Sequence, residues 1–191
     1  MSSSEFPFIS VMFAVIMGMG VVYLLMAIAT IVRGIGREIK TYWPHTAWVL
    51  FLLLLHFHVW WSMWEFQQVE VWNYFTYLFL LSGPVLLFWS AALIIPEDKK
   101  HDKIDLKQYY FQNKSKFFLT LSLAVVWGML LYPVFFGIMD PVFEWLLLFL
   151  VIIVSLIFIK NPILHIILSI LAWMLFFTWI TSYGFLIVTT G

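Results

Sequence analysis

The 191-residue chain contains no cysteine. Disulfides, thiolate metal sites, iron–sulfur clusters and covalently attached c-type haem are thereby excluded. Charge is scarce as well: Asp, Glu, Lys and Arg make up 10% of the residues, against about 25% in an ordinary soluble domain. With 64% hydrophobic residues and a mean hydropathy of +1.01, the chain reads as an integral membrane protein. The polar–apolar alternation of a barrel strand is missing too, from stretches such as WVLFLLLL and WLLLFLVIIV. Lipid offers the backbone no hydrogen-bond partner, so the spanning segments must be helices.

Uncharged apolar runs lie at about 7–32, 45–65, 71–95, 117–138, 143–159 and 162–187, each long enough to approach or cross ~30 Å of hydrocarbon at 1.5 Å per residue. The expected fold is therefore all-α, a six-transmembrane-helix bundle in a single domain covering 1–191. The N-terminal MSSSEF lacks the basic region of a signal peptide, so the first helix is expected to remain. No lysine lies deep in a helix, which removes a retinal Schiff base.

Every basic residue falls in an alternate connection. Arg33, Arg37 and Lys40 follow the first helix, six lysines follow the third, and Lys160 follows the fifth. The positive-inside rule makes those connections cytoplasmic and both termini extracytoplasmic, as expected in a bacterial cytoplasmic (inner) membrane. Glu5, Glu65, Glu70, Asp140 and Glu144 fall on the outer side. The main cytoplasmic loop, 96–116, reads PEDKKHDKIDLKQYYFQNKSK. It is expected either as a solvated loop or, from Ile104 to Phe118, as a short helix in the headgroup layer whose lysines reach anionic lipid headgroups.

Within helix 1, Ser10, Ala14 and Gly18 form a row of small residues, with Gly20, Ala27 and Ala29 nearby, suited to close helix contact, within the chain or between chains. Pro84 and Pro133 each remove a helical hydrogen bond near mid-membrane and are expected to kink helices 3 and 4. Matching broken helices, the mark of an inverted-repeat transporter, are absent.

Ionisable groups at membrane depth are costly and suggest function. The centres of helices 1, 3, 4 and 5 hold none, which disfavours a carboxylate-lined pump. That directs attention to HFHVWWSMWEF, residues 56–66. On a helix, residues two apart differ by ~200° in direction, so His56 and His58 cannot share a metal. They head two stripes: His58, Trp61, Glu65 and Gln68, and His56, Trp60, Met63 and Gln67. The His58 stripe is expected to face the interior, its imidazole bonded to a hydroxyl such as Ser82, Tyr132 or Ser169.

A proton or cation path would use His58 as relay, Glu65 as outer collector and Trp61 or Trp60 as gate. Glu70, Asp140 and Glu144 would concentrate cations at its outer mouth. The five residues His56-Phe-His-Val-Trp60 are similar to the His-x-x-x-Trp pattern of the influenza-type viral proton channel, a resemblance that implies a proton-conducting role for His56 and Trp60. Haem b would need His165 to meet His56 or His58, at depths that differ by roughly 10 Å, so no cofactor is expected. Most tryptophans fit aromatic belts at the two interfaces, with Trp127 as an expected core residue.

Two functional classes follow. One is a small channel or transporter for protons or another small cation. The other is a non-catalytic, lipid- or partner-binding subunit of a larger membrane complex. No nucleophile, base or metal set is complete enough for an enzyme. Expected partners are the bilayer, anionic headgroups at 96–116, and a homo-oligomer or larger complex, with no nucleic acid.

Overall fold

The computed structural model describes residues 5–34, 39–96, 103–139 and 142–184, with the backbone alone for 183 and 184. Among these, six α-helices follow one another: α1 (Phe6–Gly34), α2 (Trp43–Ser62), α3 (Tyr74–Ile94), α4 (Leu106–Phe136), α5 (Phe143–Phe158) and α6 (Pro162–Trp179). α2 continues as a 3-10 helix, Met63–Gln68, and α6 ends in a π turn, Ile180–Gly184. Local chemistry explains several boundaries. Asn73 and Thr76 form a reciprocal capping box at the start of α3, Asn161 caps α6, and Gly137, at φ 67°, closes α4 in the left-handed conformation.

With the 3-10 extension counted, five helices are long and apolar enough to cross a membrane, and α5 is a shorter apolar helix. The sequence of neighbours closes on itself: α1 lies beside α3, then come α4, α5 and α6, and α2 contacts α6, α1 and also α3. Rows such as Val11, Val15, Val22 and Met26 on α1, or Leu119, Leu123, Val126 and Leu130 on α4, are exposed. Apolar surface of this extent is what a lipid solvent leaves uncovered.

Charge divides between the two ends of the bundle. Arg33, Lys40, Lys103, Lys107, Lys116 and Lys160 gather where α1, α3 and α5 end, while Glu5, Glu65, Glu70 and Glu144 gather at the other end. At the basic end the connections α1–α2 and α3–α4 pair as a short parallel ladder, β1 (Ile39–Lys40) with β2 (Ile104–Asp105). Nothing in the sequence pattern points to this pairing. Lys40 Nζ donates to the Asp105 carboxylate at 2.9 Å, and the Gln108 and Lys107 N–H groups donate to it as well. The Lys40 bond, reinforced by these N–H groups, holds the Asp105 carboxyl below its ordinary range.

The segment expected as a loop or short interfacial helix needs correction. From Leu106 it is the opening of α4, a 31-residue helix that is about 46 Å long. Asp105 caps it, and Leu106, Tyr110, Lys114, Phe117, Phe118 and Leu121 turn one buried face inward. Lys114, counted above among the loop lysines, donates from Nζ to the carbonyls of Leu156 and Ile157 at 3.1 and 2.6 Å. It therefore caps the C-terminus of α5. Lys99, Lys100 and Arg37 lie outside the described residues, as do 185–187 of the expected sixth helix.

The small residues of helix 1 divide. α1 buries Ile9, Phe13, Met17, Gly20, Leu24, Ala27 and Ile31, whereas a Cβ on Gly18 would meet nothing within 4 Å in this chain. The close contact within the chain falls at Gly20, where a Cβ would overlap the His56 imidazole, and a second occurs at Gly83 against the Trp127 indole. α3 and α4 run on through Pro84 and Pro133. Just before Pro84, the Phe79 carbonyl accepts from Ser82 Oγ at 2.7 Å and from Trp127 Nε1 at 2.8 Å, so Trp127 is the core residue its position suggested.

Gly20→Ala is expected to destabilise the bundle by about 1–3 kcal/mol through overpacking. Gly18→Ala should not destabilise it. Unfolding of the two variants in detergent, compared with the parent chain, checks the pair.

Candidate functional site

The place of α2 in the ring determines what its side chains meet. Standing between α1 and α6, it has two covered flanks and one bare strip, along which Leu50, Leu54, Phe57, Trp61 and Trp64 are exposed. The two histidines themselves turn to the covered flanks and neither faces outward, whereas Trp60, Trp61, Glu65 and Gln68 further along their stripes are exposed. His56 is 1% exposed and lies against Gly20 of α1. Its Nδ1–H donates to the Leu52 carbonyl at 2.7 Å, and its Nε2 has no partner. Trp60, on the same flank, packs on Phe13 with ring centroids 6.2 Å apart.

His58 turns toward α6. Its ring meets Trp179 edge-on, with centroids 4.1 Å apart, and stands 6.3 Å from Phe176. Its hydroxyl partner is Ser62, one turn along the same helix and 3.3 Å from Nε2. The expected partners are used elsewhere: Ser82 bonds to Phe79, Tyr132 to Glu65 and Ser169 to Trp48.

The His58 flank opens onto a cavity of about 330 Å³ to which every one of the six helices contributes. Phe13 comes from α1, Leu80 and Leu87 from α3, and Trp127 and Gly128 from α4. Its polar groups are His58, Ser62, Glu65, Gln68 and Tyr132, and the Tyr132 hydroxyl donates to the Glu65 carboxylate. Trp61, Trp64, Trp145 and Trp179 stand around the same space. Toward the basic end it is lined by Phe51, Leu87, Val125, Phe149 and Phe176. One turn further in, Trp48, Leu52, Phe118 and Leu121 are fully buried, and Trp48 packs against Phe51 at 5.1 Å. The cavity thus has a polar, acidic mouth and an apolar floor.

The structure therefore brings His58, Trp61 and Glu65 to one cavity, as their spacing suggested, and turns His56 and Trp60 away from it. Glu70 and Glu144 are exposed at the same end without lining it, and Asp140 lies outside the described residues. Among the described residues no three His, Asp or Glu side chains gather as a metal site.

A second polar cluster, unforeseen in the sequence, occupies the basic end. Trp48 Nε1 donates to Ser169 Oγ at 3.0 Å, and Tyr110 Oη donates to His165 Nδ1 at 3.0 Å. The Nε2–H of His165 donates to the Ile159 carbonyl at 2.8 Å. His45 Nε2–H donates to Ile94 at 2.7 Å. His165, the histidine that a haem b would need to share, therefore has both ring nitrogens engaged. The signal for this cluster was Asp105 as an N-cap, followed by Leu106, Tyr110, Phe117 and Leu121 at helical spacing. Between the two clusters stand Phe51, Ala172, Trp173 and Phe176.

No protein-family model, no curated protein and no solved structure matches this chain.

Tyr110→Phe should leave His165 Nδ1 buried without its donor and lower stability by about 1–3 kcal/mol. Tyr132→Phe, at a bond that reaches solvent, should cost less. Thermal unfolding of both purified variants in the same detergent compares them.

Proposed function

We propose that this chain is a non-catalytic integral membrane protein that holds one amphipathic, lipid-like molecule in the outer half of its helical ring. The observation that carries this reading is the cavity, polar and acidic at its mouth and closed by aromatic and aliphatic side chains below. A volume of about 330 Å³ lies within the ~300–1,000 Å³ usual for small-molecule sites. The walls suit a molecule with a polar head and an apolar body: hydrogen-bonding groups are confined to His58, Ser62, Glu65, Gln68 and Tyr132. We place the basic end in the cytoplasm and both termini outside, in a membrane of the bacterial cytoplasmic type, on the positive-inside rule. The cavity then opens toward the outer leaflet. A role as a lipid- or partner-binding subunit of a larger membrane complex follows naturally from such a site.

Cation or proton transport is the second reading. What favours it is that His58, Ser62 and Glu65 line one cavity. A path to the basic end would have to cross the Phe51 and Phe176 layer, so transport requires α6 or α2 to move, whereas binding does not.

Gly128 supplies the test, because it lines the cavity and a Cβ there meets nothing within 4 Å. Protein purified in mild detergent should yield one amphipathic molecule per chain on solvent extraction. Gly128→Leu should fold normally and yield none. Equal recovery from both proteins would contradict the binding reading, and a proton flux into liposomes that His58→Ala abolishes would transfer the weight to transport.

A further inference from the structure

We infer that the molecule this cavity takes carries a positively charged head, an ammonium group on an apolar body, and that Glu65 and the mouth tryptophans select it. The inference rests on the amphiphile-binding reading and sharpens it. Two observations lead to it. First, Glu65 is the one acidic residue in the cavity wall, and no lysine or arginine lines it among the described residues. The basic residues gather at the opposite end of the bundle, so an anionic head would meet a carboxylate with nothing to balance it.

Second, Trp61, Trp64, Trp145, Trp179 and Tyr132 line the same space as that carboxylate. An ammonium group placed against indole faces is held by the ring quadrupole, most strongly where water is excluded, and aromatic cages of this kind recognise quaternary ammonium ligands. An interfacial belt accounts for the half-exposed Trp61 and Trp64. It does not account for Trp179, which turns inward onto His58 and whose indole N–H is buried without a partner.

An ammonium head can belong to a membrane lipid, where a phosphate accompanies it, or to a free amine amphiphile. The experiment separates these sources. Native mass spectrometry of the full chain in neutral detergent is titrated with four probes of equal chain length: decyltrimethylammonium, decylphosphocholine, decyl sulfate and decyl maltoside. The trimethylammonium probe should bind at least about tenfold more tightly than the sulfate and the maltoside. Glu65→Gln, which keeps an acceptor for Tyr132, should weaken it roughly tenfold, the scale of one charge-assisted contact. Gly128→Leu should abolish binding. Binding of the phosphocholine probe alongside the ammonium assigns a lipid headgroup as the source, and its rejection assigns a free amine; both support the cationic head. Sulfate or maltoside binding as tightly as the ammonium, still blocked by Gly128→Leu, would overturn the charge selection and leave the amphiphile site standing. Failure of all four probes to bind would overturn the amphiphile site itself.

Discussion

The contact on which the arrangement depends is the approach of α1 to α2 at Gly20, where the His56 imidazole occupies the room a side chain would take. In lipid, apolar surface has no water to escape, and helices associate by close packing instead. A glycine opposite a large ring permits that packing, and the motif recurs where Gly83 of α3 receives Trp127 of α4. Once His56 is seated against α1, the rotation of α2 is set. The residue ~200° away, His58, must then turn to the other flank, toward α6 and the ring interior. The position of the histidine in the cavity is thus a consequence of packing on the far side of the same helix.

The two ends of the bundle hold their shape by different means. At the basic end, polar groups close upon one another: Tyr110 with His165, Trp48 with Ser169, Lys114 with the last carbonyls of α5, and Lys40 with Asp105 across the short ladder. Buried polar groups satisfied in this way are rigid. At the acidic end the corresponding residues line open space, and Glu65 has Tyr132 as its partner. Rigidity at one end and an accessible hollow at the other are what a binding site built on a firm scaffold needs.

Much of the fold was legible in the sequence, because apolar runs between charged connections leave few alternatives in a bilayer. The grouping of His58, Trp61 and Glu65 was legible too, since i, i+3, i+7 spacing places them on one face. The fate of His56 was not: with a partner helix on each flank, both histidines of α2 are covered, and a single helix read alone does not reveal how many neighbours it has. Lys114 and Tyr110 were missed for a different reason. A run of lysines resembles a loop, and nothing local shows that one of those lysines will reach the carbonyl end of another helix. Gly18 and Gly20 make the same point on a small scale, because two glycines two positions apart face different surroundings.

The hollow we propose is entered from the acidic end and closed before the basic end. Because the chain has no cysteine, single substitutions can report on this directly with a membrane-impermeant maleimide applied to one face of the membrane at a time. Ser62→Cys should react with reagent at the acidic face and Ser169→Cys should react from neither. Labelling of both positions from the acidic face would reveal a path continuing through the Phe51 and Phe176 layer, and would contradict a hollow closed at that depth.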